Sequence, residues 1–283
     1  MSAQINNYSV LMSVYDKEKP EYLRQAIDSI LNQTYKPDQF VIVEDGRLND
    51  ALYKVLDHYT TEYPELICRL PLEHNYGLGI ALDRGLEICR NNLVARMDSD
   101  DISVKDRCEK QMKLFSDNPS LSIVSGCIAE FVDDVSNVVS IRNVPERHEA
   151  IRRQMRTRSA FNHPAVMYKK SEVILSGGYG KLKRKQDHDL FSRMMNNGCR
   201  AYNIQDVILY FRADKENLRR RKSWTNCNSY MKAQWNMFRR HECSLKDLLY
   251  VDFAQFFFYL APDSLVELVT RNHLREQITH RSR

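Results

Sequence analysis

An α/β fold with a mostly parallel sheet flanked by helices, followed by a C-terminal helical extension, is the architecture this sequence predicts. Three observations carry it. The apolar runs Tyr8 to Val14, Gln39 to Val43 and Leu93 to Met97 have the length of buried strands. Between them lie stretches whose apolar residues recur at helical spacing, and alternation of the two kinds implies parallel strands joined by helices. From about Trp224 the strand pattern stops and only helical periodicity continues.

The first strand, Tyr8 to Val14, is followed after Pro20 by Leu23, Ala26, Ile27, Ile30 and Leu31, the apolar face of a first helix. The second strand, Gln39 to Val43, runs into Glu44-Asp45-Gly46, and Leu52, Val55, Leu56 and Tyr59 mark a second helix that Pro64 ends. A weaker strand around Leu66 to Leu70 leads through Asn75-Tyr76-Gly77-Leu78 to a third helix with Ala81, Leu82, Gly85, Leu86 and Cys89 inward. Leu93 to Met97 is the next strand. Further on, Met231, Trp235 and Phe238, then Leu248, Leu249, Phe253, Phe256 and Phe257, then Leu265, Leu268 and Val269 read as helices.

Composition narrows the class. With 283 residues and 43% apolar content the chain can bury a substantial core. Seven cysteines are scattered without a CxxC, as expected in a reducing cytoplasm. The polar start, Met1 to Asn7, lacks the basic and apolar regions of a signal peptide. The apolar stretch Leu248 to Leu260 is broken by Asp252 and Gln255 and falls short of the ~20 residues a spanning helix needs. The net charge of +5 concentrates at Lys181 to Lys185 and Arg219 to Lys222. Such runs suit solvent, anionic lipid heads or phosphates, and no nucleic-acid motif accompanies them.

The chemistry gathers at strand ends. Arg96-Met97-Asp98-Ser99-Asp100-Asp101 places three carboxylates where a strand closes. Aspartates are poor strand residues and clustered carboxylates repel, so the pattern suggests a divalent cation, Mg²⁺ or Mn²⁺, with oxygen ligands. A turn after the strand can aim Asp98 and Asp100 into one cleft, one at the metal and one at a metal-bound diphosphate or sugar. The alternative is a solvated acidic turn before a helix starting near Val104, with Ser103 as its N-cap. In open parallel sheets ligands bind beyond the carboxyl ends of the strands, and here those ends carry Tyr15, Glu44-Asp45 and Asp98-Ser99-Asp100. GxGxxG and GxxxxGK[ST] are both absent, so a nucleotide would be held by acids and metal.

In order and at plausible spacing, the chain carries Ser13-Val14-Tyr15, Asn32-Gln33-Thr34-Tyr35, Glu44-Asp45-Gly46, Asn75 with Gly77-Leu78, and Ala95 to Asp101. Asn162 to Met167, Gly177-Gly178-Tyr179 and Gln186-Asp187-His188-Asp189-Leu190 follow. With these it resembles family 2 glycosyltransferases of GT-A fold, the small non-processive kind that builds bacterial O-antigens and exopolysaccharides. The resemblance covers most of residues 8 to 215. It implies a catalytic domain over residues 1–215, with a nucleotide-sugar half to about 102 and an acceptor half beyond it, and a helical region over 216–283. Tyr15, Glu44 and Asp45 would hold uracil and ribose, with Asn75 and Ser99 also on the nucleotide-sugar side. Asp98 and Asp100 would be the DxD pair that positions Mn²⁺ or Mg²⁺ and the sugar diphosphate. Asp187 matches the catalytic base.

Three positions depart from the family pattern. Gln186 stands where glutamate usually precedes the base. Leu82 and Asp83, with Arg84 one step on, replace an arginine and asparagine near the diphosphate. The QxxRW signature of processive synthases is missing. Around the base, His163 and His188 are acceptor-side candidates beside Gln186. Each also has a plainer reading, His163 as a hydrogen-bonded structural group and His188 as a solvent-facing residue at a helix start. Gly177 to Gly180 reads as a flexible acceptor-side loop. The C-terminal helices either pack on the catalytic domain or set Phe256 to Tyr259 in a membrane interface. The resemblance implies an inverting transfer of galactose or glucose from a UDP-sugar donor to an undecaprenyl-diphosphate-linked saccharide. The protein would be cytoplasmic, peripheral at the inner face of the bacterial inner membrane. Two other readings are a sugar nucleotidyltransferase and a non-enzymatic polyanion- or membrane-surface-binding protein. The first needs a glycine-rich loop after strand one, and Asp16 to Pro20 has no glycine.

Overall fold

The computed structural model describes residues 7–213 and 223–261. The basic run 219–222, the boundary expected at 215 and the last apolar positions, Leu265, Leu268 and Val269, lie outside them. The first half follows the expected alternation: β1 (Ser9–Val14), α1 (Pro20–Leu31), β2 (Gln39–Glu44), α2 (Asp50–Glu62), β3 (Ile67–Pro71), α3 (Leu78–Ile88) and β4 (Leu93–Asp98). Pro20 opens α1 at its first turn, where the missing N–H costs nothing. Asn49 caps α2 through its side chain, and α2 stops before Tyr63-Pro64.

Strands β1, β2, β3 and β4 pair in parallel in the order β3-β2-β1-β4. They are apolar almost throughout because both faces are covered. Val10, Met12, Phe40 and Ile42 face one core with α1 and α2, while Leu11, Val41 and Val43 face a second with α3. Gly85 of α3 lets that helix settle on the sheet, since a Cβ there would meet Leu11 and Val43 at 2.5 Å.

The second half is mixed. It contains β5 (Ile102–Ser103), α4 (Arg107–Asp117), β6 (Leu121–Phe131), β7 (Val138–Arg142), α5 (His148–Met155) and a 3₁₀ turn (His163–Ala165). After these come β8 (Met167–Lys169), α6 (Lys170–Leu175), α7 (Gln186–Asn196) and β9 (Arg200–Arg212). β8 joins β4 antiparallel and carries the sheet on through β6 and β9 to β5, with β7 off β6. β6 and β9 are parallel, so parallel pairing is not confined to the first half.

The short link from β4 to β5 spans from the middle of the sheet to its far edge, so the sheet curls back on itself. The helix expected from Val104 begins instead at Arg107, and Ser103 is not its cap. Ser103 lies in β5, where its N–H donates to Ser29 Oγ at 3.0 Å. Arg107 is buried and donates to the carbonyls of Arg96 at 2.7 Å and Val166 at 3.2 Å, fixing β4 to the turn before β8.

Among the described residues two helices follow, α8 (Trp224–Arg239) and α9 (Leu245–Leu260), the latter opened by a capping box between Ser244 and Asp247. Among the described residues no helix is long and apolar enough to cross a membrane.

Candidate functional site

The curl of the sheet decides where the acids go. β4 ends at Asp98 and β5 starts at Ile102, so Asp98 to Asp101 occupy a tight bend at the carboxyl edge of the sheet. Carboxylate oxygens of Asp98, Asp100 and Asp101 all lie within 4.8 Å of one another. Asp101 is fully buried. Its Oδ1 accepts the Arg212 N–H at 3.0 Å from the end of β9, while its Oδ2 has no partner. Arg212 Nε also donates to the Asp100 carbonyl, at 2.9 Å. Burial pushes the Asp100 carboxyl up to about 7, and the neighbouring Asp98 and Glu18 add to the rise. Burial likewise raises Asp101, with Asp100 and Asp98 as further causes.

An orphaned buried carboxylate oxygen beside two repelling acids is what a site for a hard cation looks like, and an all-oxygen set suits Mg²⁺ or Mn²⁺. The expected pair Asp98 and Asp100 is thus joined by Asp101. Glu18 is a fourth acid, which sequence reasoning missed. It accepts Ser99 Oγ–H at 2.5 Å from the loop after β1, and no local pattern ties it to an acidic run eighty residues away. Asp101 was in plain view as part of that run.

On the neighbouring strand ends, register pairs Ser13 with Asp98 and Val14 with Glu44, so Tyr15, Glu44-Asp45 and the acid bend share one edge. Tyr15 is exposed there. Glu44 is buried and accepts Arg69 Nε–H at 2.5 Å. Asp45 accepts the N–H groups of Tyr76 at 2.8 Å and Gly77 at 3.0 Å, which holds the loop bearing exposed Asn75 against the turn at Gly46. Gly46 has φ +86°, and a Cβ there would sit 2.7 Å from the Asn75 nitrogen. Each carboxylate keeps spare lone pairs for a ligand.

The departures on α3 acquire reasons. Leu82 is core. Arg84 lies 4.5 Å over the Tyr76 ring. Asp83 accepts the Tyr179 N–H at 2.7 Å and the Gly180 N–H at 3.3 Å. Arg193 donates to the Gly178 carbonyl at 2.7 Å and also to that of Ser176. The glycine loop expected to be flexible is therefore held from both sides.

That loop delivers the start of α7. Lys185, with φ +63°, is its N-cap, and Gln186, Asp187, His188 and Asp189 form the first turn. Burial raises the Asp187 carboxyl, but its interactions with His163, Lys185 and His188 and with the His188 backbone N–H outweigh it, so Asp187 is held below the usual carboxylate range. Asp189 has a different fate: its two oxygens accept Arg193 at 3.1 Å and Arg240 at 2.8 Å.

His163 shares a hydrogen bond of 2.9 Å with the Tyr179 hydroxyl, which in turn donates to Tyr168 at 3.2 Å. Burial, with the Arg96 guanidinium beside it, lowers His163 to about 3, so the ring is neutral. His188 does not face solvent. It is buried against the Tyr230 ring with neither ring nitrogen partnered, and burial lowers it to about 4. Neither histidine belongs to the carboxylate group that could hold a cation among the described residues. Gln186 is buried with its Oε1 unpartnered. It lies beside Gly79, where a Cβ would be 3.3 Å from Gln186 Cγ and 2.8 Å from the Gly180 carbonyl oxygen.

Buried Arg96 links the two halves. It is paired with Asp98 on one side and felt by His163 and Tyr179 on the other, while His163 is felt by Asp187. Its Nε and Nη1 have no protein partner. The bed of acids thus adjoins the buried guanidinium, which in turn reaches His163 beside Asp187.

The profile of the family described as Glycosyl transferase family 2 matches residues 9–174. The chain is 34% identical over 275 residues to an Escherichia coli protein described as UDP-Gal:alpha-D-GlcNAc-diphosphoundecaprenol beta-1,3-galactosyltransferase, covering 97% of this chain and 99% of that one. It is 35% identical over 232 residues to the amylovoran biosynthesis glycosyltransferase AmsE of Erwinia amylovora, covering 82% and 84%. Among solved structures, the mannosyltransferase PcManGT from Pyrobaculum calidifontis, in complex with GDP-Man and Mn²⁺, aligns with a TM-score of 0.63 at 15% identity, over 90% of this chain and 70% of that one. At that identity the likeness is one of fold, the GT-A arrangement.

Proposed function

The chain belongs to glycosyl transferase family 2, and from that membership we propose an inverting, non-processive, metal-dependent transfer of galactose or glucose from its UDP form. The acceptor is a lipid-diphosphate-linked saccharide of bacterial surface polysaccharide synthesis. One observation carries the reading: three carboxylates, one with an orphaned buried oxygen, converge at the strand edge, while Asp187 neighbours His163, which also feels Arg96, and Asp189 is locked in ion pairs.

Tyr15, Glu44, Asp45 and Asn75 receive the nucleotide at the strand edge, in a donor half ending near residue 102. Asp98, Asp100 and Asp101 would hold a divalent cation, which would supply neutralisation of the charge developing on the departing UDP. On the acceptor half, Asp187 takes the proton of the acceptor hydroxyl as its oxygen bonds to the anomeric carbon. The bond from that carbon to the UDP oxygen breaks on the opposite face, and UDP leaves with the electron pair. An α-linked donor gives a β-linked product. Gln186 and His188 stand beside the base in the first turn of α7 as the acceptor-side candidates, each with buried atoms that lack a protein partner. His163 positions the site through Tyr179.

A second feature supports an acceptor at a membrane. Leu249, Phe253, Phe257 and Leu260 of α9 are exposed, and a contiguous exposed apolar face of this kind marks a membrane or partner contact.

The test is donor binding followed by melting temperature. Wild type with Mn²⁺ and the cognate UDP-sugar at ~100 times its dissociation constant gains about 2.7 kcal/mol. Asp98→Asn and Asp100→Asn lose both that gain and transfer. Full activity of both variants in EDTA would overturn the metal assignment.

A further inference from the structure

We infer that the cleft between α5, α7 and the turn joining α8 to α9 binds the diphosphate of the lipid-linked acceptor, with the apolar face of α9 receiving the first part of its hydrocarbon chain. The inference rests on the acceptor class proposed above and adds to it a site remote from the acid bend.

The cleft is a cavity of about 620 Å³ whose α5 wall presents Arg152, Arg153 and Arg156. Arginines in a last helical turn ordinarily answer the helix dipole in open solvent. Arg152, Arg153 and Arg156 are exposed and also line the rim of this cleft, and the acids that could neutralise them are mostly spoken for. Glu242, on the opposite wall, accepts Arg240 at 2.7 Å and Ser192 at 2.8 Å. Asp247 accepts Arg156 at 2.5 Å and the Ser244 hydroxyl at 2.7 Å. Glu149 is the remaining carboxylate of the lining, and it makes no ion pair with Arg152 or Arg153, which have no partner among the described residues. Two guanidinium forks at the mouth of a polar cavity are suited to bidentate recognition of phosphate oxygens.

What lies next to the cleft selects the kind of phosphate. Ser244 lines the cavity and caps α9, and from the next residue Leu245, Leu249, Phe253, Phe256 and Leu260 recur as an exposed apolar stripe at helical spacing. Charge followed directly by a hydrocarbon track matches a prenyl diphosphate, whereas a free nucleotide or inorganic phosphate has no use for the track.

The cleft shares α7 with the proposed base. Ser192 and Met195 line it, and with His188 they fall at i, i+4 and i+7 on one face of α7. From Asp187 to Met195 the helix rises about 12 Å, the separation that the saccharide between diphosphate and acceptor hydroxyl would span.

The test uses the full chain saturated with UDP and Mn²⁺, which occupies the donor site, and titrates in a short-chain prenyl diphosphate, the matching prenyl alcohol and inorganic diphosphate. The wild type is expected to bind the prenyl diphosphate more tightly than either fragment. The double variant Arg152→Ala/Arg153→Ala is expected to weaken it roughly tenfold, with UDP affinity and melting temperature unchanged, and Arg152→Lys/Arg153→Lys to recover part of the loss. Equal affinity in wild type and the alanine variant would overturn the proposal. So would inorganic diphosphate binding as tightly as the prenyl compound, which would mark a plain anion site, or the prenyl alcohol doing so, which would mark an apolar groove alone. None of these readouts requires sugar transfer. A protein that bound prenyl diphosphate through these arginines yet moved no sugar would defeat the proposed function and not the cleft.

Discussion

Asp187 and Asp189 stand two residues apart on α7, at helical spacing that turns them about 200° from each other, and their surroundings assign them different work. Asp189 anchors Arg193 and Arg240, so Asp189→Asn is expected to lower the melting temperature while leaving the base in place. Asp187 makes no ion pair among the described residues, Lys185 only being near enough to lower its carboxyl, and positioned general bases contribute about 10²- to 10⁴-fold to rate. Asp187→Asn should lose turnover on that scale with UDP-sugar affinity kept. Steady-state kinetics, donor titration and melting curves on the two variants check this, and a fully active Asp187→Asn would end the base assignment.

Asp100 gives a pH test of the acid bend. Its folded-state carboxyl titrates near 7 because burial and the charges of Asp98 and Glu18 disfavour ionisation, whereas an unfolded aspartate titrates near ~3.9. Between those values the folded state holds a proton that the unfolded chain has released, so this group's contribution to stability falls as pH rises through the window. In chelator-treated protein, Asp100→Asn should therefore gain stability relative to wild type as pH goes from about 4 to about 7. A difference in melting temperature that stays constant across that range would contradict the repulsion described here.

At the scale of elements, the first half was legible because its signals are local. Apolar runs bounded by acids gave β1, β2 and β4, while helical spacing with Pro20 and Pro64 as punctuation bounded α1 and α2. The strands after Asp101 were not legible. β5 is two residues long, and β6 and β9 are buried in a mixed sheet whose register shifts at several points, so no clean period survives. α4 was started too early for the same reason, since Ser103-Val104 resembles a cap followed by an apolar residue and only pairing with β9 makes Ser103 a strand residue. Gln186, Asp187 and His188 were found from a motif, but the burial of His188 was not, because α8 arrives from forty residues downstream to cover it.

α9 is where an element-scale prediction belongs. Its outer face exposes Phe253, Phe256 and Phe257, residues that a helix simply packed on the domain would bury. Phe256→Ser with Phe257→Ser should reduce co-sedimentation with anionic vesicles at low salt without changing the melting temperature, because both side chains are exposed. A wild type that fails to sediment with such vesicles would show that this face has another use.

Across the whole molecule, the site is a product of sheet topology. Parallel β1, β2 and β4 bring Tyr15, Glu44-Asp45 and Asp98 to one edge, which the alternating pattern anticipated. The curl that returns β5 to β9 then closes the acid bend from the far side, placing the Arg212 backbone on Asp101 and leaving one Asp101 oxygen open toward its neighbours. No window of sequence contains that closure, because it joins residues more than a hundred positions apart. In the function proposed above, Asp187 deprotonates the acceptor hydroxyl, which attacks from the face away from UDP, and this direct displacement is the central claim. The anomeric configuration of the product, read by proton NMR after transfer from the UDP-α-hexose that the enzyme turns over, tests it most directly. A β-linked product is the predicted result, and an α-linked product would contradict direct displacement assisted by Asp187.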